Sequence, residues 1–133
     1  MLVVDASIVA VALADDGPDG DAARARLSGE ELAAPEQVDL EVVSVWRRQS
    51  RAGLLDARRA STAMRDLTAL PLQRAPHLPL VDRCWELRDT LSAYDATYAA
   101  LAEALDATLL TGDRRLAAAI GPACAIEVLT RPR

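Results

Sequence analysis

Short apolar runs recur along the chain, each separated from the next by a longer segment of helical character. LVV at 2–4 is the first. It lacks polar alternation, which predicts a strand buried on both faces, as in a parallel sheet. SIVAVALA at 7–14 follows; Ser7 as N-cap and the Ala and Leu content predict a helix. DDGPDG at 15–20 is a turn cluster, DAARARL at 21–27 a helix, and ELAAP at 31–35 a second strand stopped by Pro35. The segment 36–51, EQVDLEVVSVWRRQSR, reads two ways. Val38, Leu40 and Val42 alternate with Asp39 and Glu41 as in a strand. Length, Pro35 ahead, the closing arginines and Gly53 beyond favour a helix.

The second half continues the pattern. Helices are predicted at 56–70, 80–91, 94–107 and 113–120, and strands at 71–75, 107–111 and 126–129. Strands alternating with helices predict an α/β fold: a three-layer α/β/α sandwich around a central parallel sheet. At 133 residues, with no repeat or low-complexity linker, the chain is expected to form one domain over 1–133.

Composition narrows the function. Apolar residues make up 51% of the chain but aromatics only 3%, so the core must be built mainly from Ala, Val and Leu. The net charge of -5 argues against binding nucleic acid through a broad basic face. All fifteen basic residues are Arg, the better bidentate phosphate partner. Cys84 and Cys124 lack zinc spacing and read as small buried hydrophobes. Asp5 interrupts the N-terminal apolar stretch and no basic segment precedes it, so no signal peptide is expected. No run is long enough to span a bilayer. A soluble, cytosolic protein is the expectation.

The acids carry the candidate chemistry. In open α/β sheets, ligands bind beyond the carboxyl ends of the strands, near the switch in strand order. Asp5 follows the first strand and Asp113 follows LLT at 109–111, so both fall at that edge. Either one alone is adequately explained as a helix cap. Asp95 fits a Ser-x-x-Asp cap starting at Ser92, yet it shares a helix face with Leu91, Tyr98 and Ala102. A carboxylate on an inward stripe is costly unless a cation balances it. Glu41 shares a face with Val38 and Val45 if 36–51 is helical, and has no such tension if it is a strand. Several acids at one pocket repel by roughly 4 kcal/mol per pair at 4 Å in an effective dielectric of 20. A divalent cation with oxygen ligands relieves that repulsion.

VVDASIVA around Asp5, SAYDATYAALAEAL around Asp95 and LLTGDRRLA around Asp113 together resemble the PIN-domain ribonucleases, and among them the VapC-type toxins of bacterial toxin–antitoxin pairs. PEQVDLEVVSVWRR corresponds to the family's acidic helix, with Glu41 as its acid. The resemblance spans essentially the whole chain. It implies a PIN-like α/β/α sandwich and endonuclease hydrolysis of RNA dependent on Mg²⁺ or Mn²⁺. By position, it implies Asp5, Glu41, Asp95 and Asp113 as the catalytic acids, with Asp5, Asp95 and Asp113 holding the metal. Thr111 and Ser7 would support them through hydrogen bonds. A homodimer and a cognate VapB-type antitoxin are the implied partners, with a transfer, ribosomal or messenger RNA as substrate.

Arg114 and Arg115 come nearest the expected pocket and are candidates for RNA contact. Arg47, Arg48, Arg51, Arg58 and Arg59 form two further clusters that also suit a solvated face. Other acid-at-sheet-edge proteins fit less well. A receiver domain needs a Lys, a haloacid-dehalogenase-type phosphatase needs Asp-x-Asp where this chain has Asp5-Ala6-Ser7, and no phosphate-binding Gly-rich loop with Lys is present. The only histidine, His77, lies between prolines and supports no two-histidine ribonuclease. A non-catalytic RNA- or protein-binding module of the same fold is the alternative.

Overall fold

Leu2–Val4 form β1, the central strand, and all three residues are buried. In the computed structural model, which describes residues 1–130, four more strands join it: β2 (Leu32–Pro35), β3 (Leu72–Ala75), β4 (Thr108–Thr111) and β5 (Ile126–Val128). Every pairing is parallel and the order is β3-β2-β1-β4-β5. Val3 sits opposite Ala33 on one side and Leu109 on the other. The order reverses between β1 and β4, the place where an open sheet leaves a crevice at its carboxyl edge.

Helices α1 (Ala6–Ala14) and α2 (Pro18–Leu27) connect β1 to β2; α3 (Val38–Arg51) and α4 (Ala57–Ala69) connect β2 to β3. A short 3₁₀ turn, α5 (Val81–Glu86) and α6 (Ala93–Leu105) lead back to β4, and α7 (Arg114–Ala118) leads on to β5. Right-handed crossovers put α1–α4 on one face of the sheet and α5–α7 on the other. The contacts agree: α2, α3 and α4 pack on α1, whereas α6 lies across β1, β2 and β4 with α5 against it. This is the three-layer α/β/α sandwich with the expected parallel sheet.

The scarcity of aromatics shows in the packing. Ala96, Ala99 and Ala102 of α6 are fully buried, and their small side chains let the helix lie close to the sheet. The segment 36–51 is helical, with Val38, Val42 and Trp46 buried on its inner face. Trp46 Nε1 donates to the Ala10 carbonyl 3.2 Å away, tying α3 to α1.

Three local expectations need correction. Asp5, not Ser7, caps α1: its carboxylate accepts from the Ile8 amide at 3.2 Å. A carboxylate one residue before the helix, on extended backbone, reaches the free amides better than a hydroxyl already inside the first turn. α2 begins earlier, at Pro18, because proline suits the first helical position. Gly20 is required there; a Cβ would lie 1.8 Å from the Asp15 carbonyl oxygen. The helix expected over 80–91 ends at Glu86. Ser92 must be extended to cap α6, so the chain passes from Leu87 to Leu91 in turns, with the Thr90 and Leu91 amides both donating to the Leu87 carbonyl.

Candidate active site

The strand order brings the ends of β1 and β4 side by side, and with them Asp5 and Asp113. Asp5 is tightly held. Ser7 Oγ donates to its Oδ1, and Thr111 Oγ1 donates to its Oδ2 from the end of β4. Thr111 is fully buried, and its hydroxyl also accepts from the Asp113 amide at 3.0 Å. Ser7 in turn accepts from the Gly112 amide at 3.3 Å. Two hydroxyls therefore link the β1–α1 and β4–α7 turns around one carboxylate. Asp113 caps α7 through the Arg115 amide, 2.9 Å away. That bond holds its carboxyl below the usual carboxylate range, with help from the Arg115 guanidinium at 3.4 Å.

The other two acids arrive from helices on opposite faces of the sheet. α3 leaves the carboxyl edge after β2, and α6 begins at that same edge before running back to β4. Glu41 and Asp95 thus both lie in first helical turns at this edge. Ser92 Oγ accepts from the Asp95 amide at 3.1 Å, so the expected cap is present. Tyr98, buried three residues beyond Asp95, donates its hydroxyl to Glu41 Oε2 at 3.1 Å and bridges the two helices. Gln37 Nε2 donates to Thr97 Oγ1 beside it. Tyr98 read from the sequence as a core position only. No local signal ties its hydroxyl to Glu41, because the partner is 57 residues distant in the chain.

Asp5, Glu41, Asp95 and Asp113 line one open cleft of about 530 Å³, together with Ser7, Ser44, Arg48, Tyr94 and Tyr98. Every one of the four acids stands at a helix N-terminus. The helix dipoles favour carboxylates there, so capping and pocket formation are compatible roles. Burial is the main cause that pushes the Glu41 carboxyl up in pKa, and the charges of Asp95 and Asp5 add to it. Burial likewise raises Asp95, followed by repulsion from Asp113 and Asp5. Glu41 Oε1 is buried without a hydrogen-bond partner among the described residues. Such an oxygen is costly unless something else completes it.

Among the described residues no group of three or more His, Cys, Asp or Glu is arranged to hold a metal ion directly. Mg²⁺ does not require such a cage; it is usually held by one or two carboxylates with retained waters. Four carboxylates in one cleft, mutual repulsion and an orphaned buried oxygen fit a hard divalent cation. Neither Arg114 nor Arg115 lines the cleft, and Arg115 turns to Asp113. The basic side chain that does line it, among the described residues, is Arg48. Cys84 and Cys124 are both free thiols, buried and half-buried respectively. No helix among the described residues is long and apolar enough to cross a membrane.

The fold and site can be set beside known proteins. The PIN domain family matches residues 2–121. Ribonuclease VapC9 of Mycobacterium tuberculosis is 43% identical over 134 residues, covering 98% of this chain and 100% of the relative. Ribonuclease VapC1 of the same organism is 41% identical over 128 residues, covering 96% of each. The solved structure of VapBC2 from Rickettsia felis bound to a DNA fragment from their promoter has the same fold. Its TM-score is 0.65 at 16% identity, covering 97% of this chain and 98% of that one. With a family match over residues 2–121 and relatives this similar from end to end, the chain belongs to the PIN-domain family, in the branch of the VapC ribonucleases.

Proposed function

We propose that this chain is the toxin of a toxin–antitoxin pair, a metal-dependent endoribonuclease that hydrolyses RNA and inhibits translation until its antitoxin binds. The observation that carries the reading is the cleft lined by Asp5, Glu41, Asp95 and Asp113, with one buried Glu41 oxygen lacking a partner among the described residues. The VapC ribonuclease relatives support RNA as substrate, and the VapBC2 structure supports a cognate VapB-type antitoxin as partner. A homodimer in the cytoplasm completes the proposal.

Asp5, Asp95 and Asp113 are the residues that would hold Mg²⁺, or Mn²⁺ in its place, in part through the cation's retained waters. When bound, the cation supplies positive charge at the phosphoryl group and acidifies water at neutral pH. The chain supplies orientation and proton handling. Thr111 and Ser7 fix Asp5 so that its carboxylate cannot swing away. Tyr98 fixes Glu41 through Oε2 and leaves Oε1 free to accept a proton from the attacking water. The raised proton affinity of Glu41 suits it to that task.

Cleavage of total cellular RNA by antitoxin-free protein, with Mn²⁺, Mg²⁺ or EDTA, tests the proposal. Discrete metal-dependent cuts are expected, with Asp95→Asn reducing the rate at least about 100-fold, since such charge stabilisation is worth several kcal/mol. Folded, inhibitor-free protein that binds RNA but cuts none under any metal would support the non-catalytic module instead.

A further inference from the structure

The arginines are unevenly partnered. Arg24, Arg26, Arg59, Arg74, Arg83 and Arg115 each pair with a carboxylate. Seven others have no carboxylate partner among the described residues, and five of those, Arg47, Arg48, Arg51, Arg58 and Arg65, belong to α3 and α4. The two helices pack as an antiparallel hairpin. A groove between them is lined by Leu40 and Val43 near the start of α3 and by Met64 and Leu67 near the end of α4. The end of α3 therefore lies beside the start of α4. On α3, Leu40, Ser44, Arg47 and Arg51 form an exposed face opposite the buried Val38, Val42 and Trp46. On α4, Arg58, Ser61, Thr62 and Arg65 form an exposed face opposite the buried Ala63 and Leu67. Ser44 and the exposed Arg48 also line the acidic cleft, so this outer ridge begins at the site.

The acids of the hairpin are turned elsewhere. Asp39 is bonded to Arg74. Glu41 accepts from Tyr98 inside the cleft. Asp56 caps α4, accepting from the Arg59 amide at 2.8 Å. Asp66 lies with Arg24 and Arg59 along a cavity beside α1 and α2. Arg47, Arg51, Arg58 and Arg65 are thus left on the outer ridge with no carboxylate bonded to them, in a chain whose net charge is -5. Helix stability does not account for them. Arg47 and Arg51 stand one turn apart and repel. Arg51 suits the C-terminal end of α3, but Arg58 is the second residue of α4, where the helix dipole disfavours a cation. Segregated positive charge on an acidic molecule matches an anionic partner. Between Arg58 and Arg65 stand Ser61 and Thr62, not the apolar or aromatic anchors that carry a protein interface. Guanidinium groups spaced along a ridge suit a phosphate backbone, and the ridge runs out of the cleft proposed to cut one.

We infer that the outer face of the α3–α4 hairpin is a second RNA-binding surface, outside the catalytic cleft and blind to sequence. Arg47, Arg51, Arg58 and Arg65 hold phosphates of the chain that continues from the cleft past Ser44 and Arg48. This rests on the ribonuclease reading above and places part of the substrate's affinity away from the reacting atoms. Two measurements run in parallel. One is wild-type cleavage of total RNA. The other is binding of fluorescein-labelled oligouridylates to the Asp95→Asn chain in Mg²⁺ over a range of salt. One oligouridylate is short enough to fill the cleft alone, and the other is several times longer. Changing Arg47, Arg51 and Arg58 together to Gln should lower the long strand's slope of log affinity against log salt by about 2, at roughly 0.7 per phosphate contact. The same three changes to Lys should retain the slope, and the short strand should lose nothing. Arg88→Gln is the control for net charge, since Arg88 is exposed and unpaired on α5, across the sheet. It should leave the slope unchanged. In the cleaving enzyme the triple Gln variant should raise KM for the RNA it cuts and spare kcat. All three side chains are exposed, so the fold should survive, and melting curves check it. An unchanged slope in the folded triple variant would overturn the inference and leave the ridge to an acidic protein segment. An equal loss on the short strand, or from Arg88→Gln against Arg51→Gln alone, would also overturn it. A wild type that cuts nothing defeats the ribonuclease reading, while the salt slopes still decide whether the ridge holds RNA.

Discussion

Thr111 shows how much one buried hydroxyl can organise. It is fully buried, donates to Asp5 and accepts from the Asp113 amide, so it touches both sides of the crevice between β1 and β4. Valine matches its shape but removes both bonds. Thr111→Val should lower Mn²⁺ affinity and cleavage by roughly 10- to 100-fold, the usual range for groups that orient a metal's ligands. Calorimetric Mn²⁺ titration beside RNA cleavage checks this. Ser7→Ala should act in the same direction, since it removes a second bond to Asp5. Unchanged Mn²⁺ affinity in both variants would mean that Asp5 needs no such support.

Arg74 does comparable work between elements. From β3 its guanidinium forms a two-pronged bond to Asp39 of α3 at 2.8 and 3.0 Å. It also donates to the carbonyls of Leu67, Leu70 and Leu72, where α4 ends and β3 begins. The pair is about one-third exposed, so screening limits its Coulombic part. The carbonyls that lose their donor add to the cost. Arg74→Met keeps the stem and removes the donors. It should destabilise by about 1.5–3 kcal/mol in urea unfolding, the range for hydrogen bonds to charged groups. Asp39→Asn should cost less, because the carbonyl bonds survive. A loss as large in Asp39→Asn would place the energy in the ion pair instead.

At the scale of the molecule, the acidic cleft opposes folding when no cation is bound. The folded state binds a proton on Asp95 and Glu41 more tightly than the unfolded chain, whose values are near 3.8 and 4.5. The stabilisation these groups provide is therefore complete below those values and is lost as pH rises through the higher folded values. Asp113 and Glu127, whose carboxyls are lowered, act oppositely and lose their contribution as pH falls. The difference between wild type and Asp95→Asn isolates one group. In metal-free buffer Asp95→Asn should melt higher at neutral pH, and the gain should shrink as pH drops toward 3.8. The helix dipole pulls the other way by roughly 0.3–1 kcal/mol at most exposed sites, and here burial and repulsion outweigh it. Saturating Mn²⁺ should raise the wild-type melting point more than the variant's, because it binds only the folded state. An Asp95→Asn chain that melts lower without metal would contradict a cleft strained by its own charge.

The alternation of apolar runs with helical segments was enough to settle an α/β/α sandwich with a parallel sheet, because buried strands and amphipathic helices have distinct local periods. The same local signals placed Asp5 and Asp113 at strand ends and resolved 36–51 as a helix. Local chemistry misled where two neighbours competed for one role, as Asp5 and Ser7 did for the first cap, and where the start of α6 cut α5 short. Tertiary structure alone decided the strand order, and so which ends meet. It alone brought Tyr98 to Glu41 and stood Arg48 and Tyr94 in the same cleft. Those relations join residues on helices from opposite faces of the sheet. Periodicity assigns a residue to a face of its own element, but which faces meet depends on the crossovers that fold the chain back on itself.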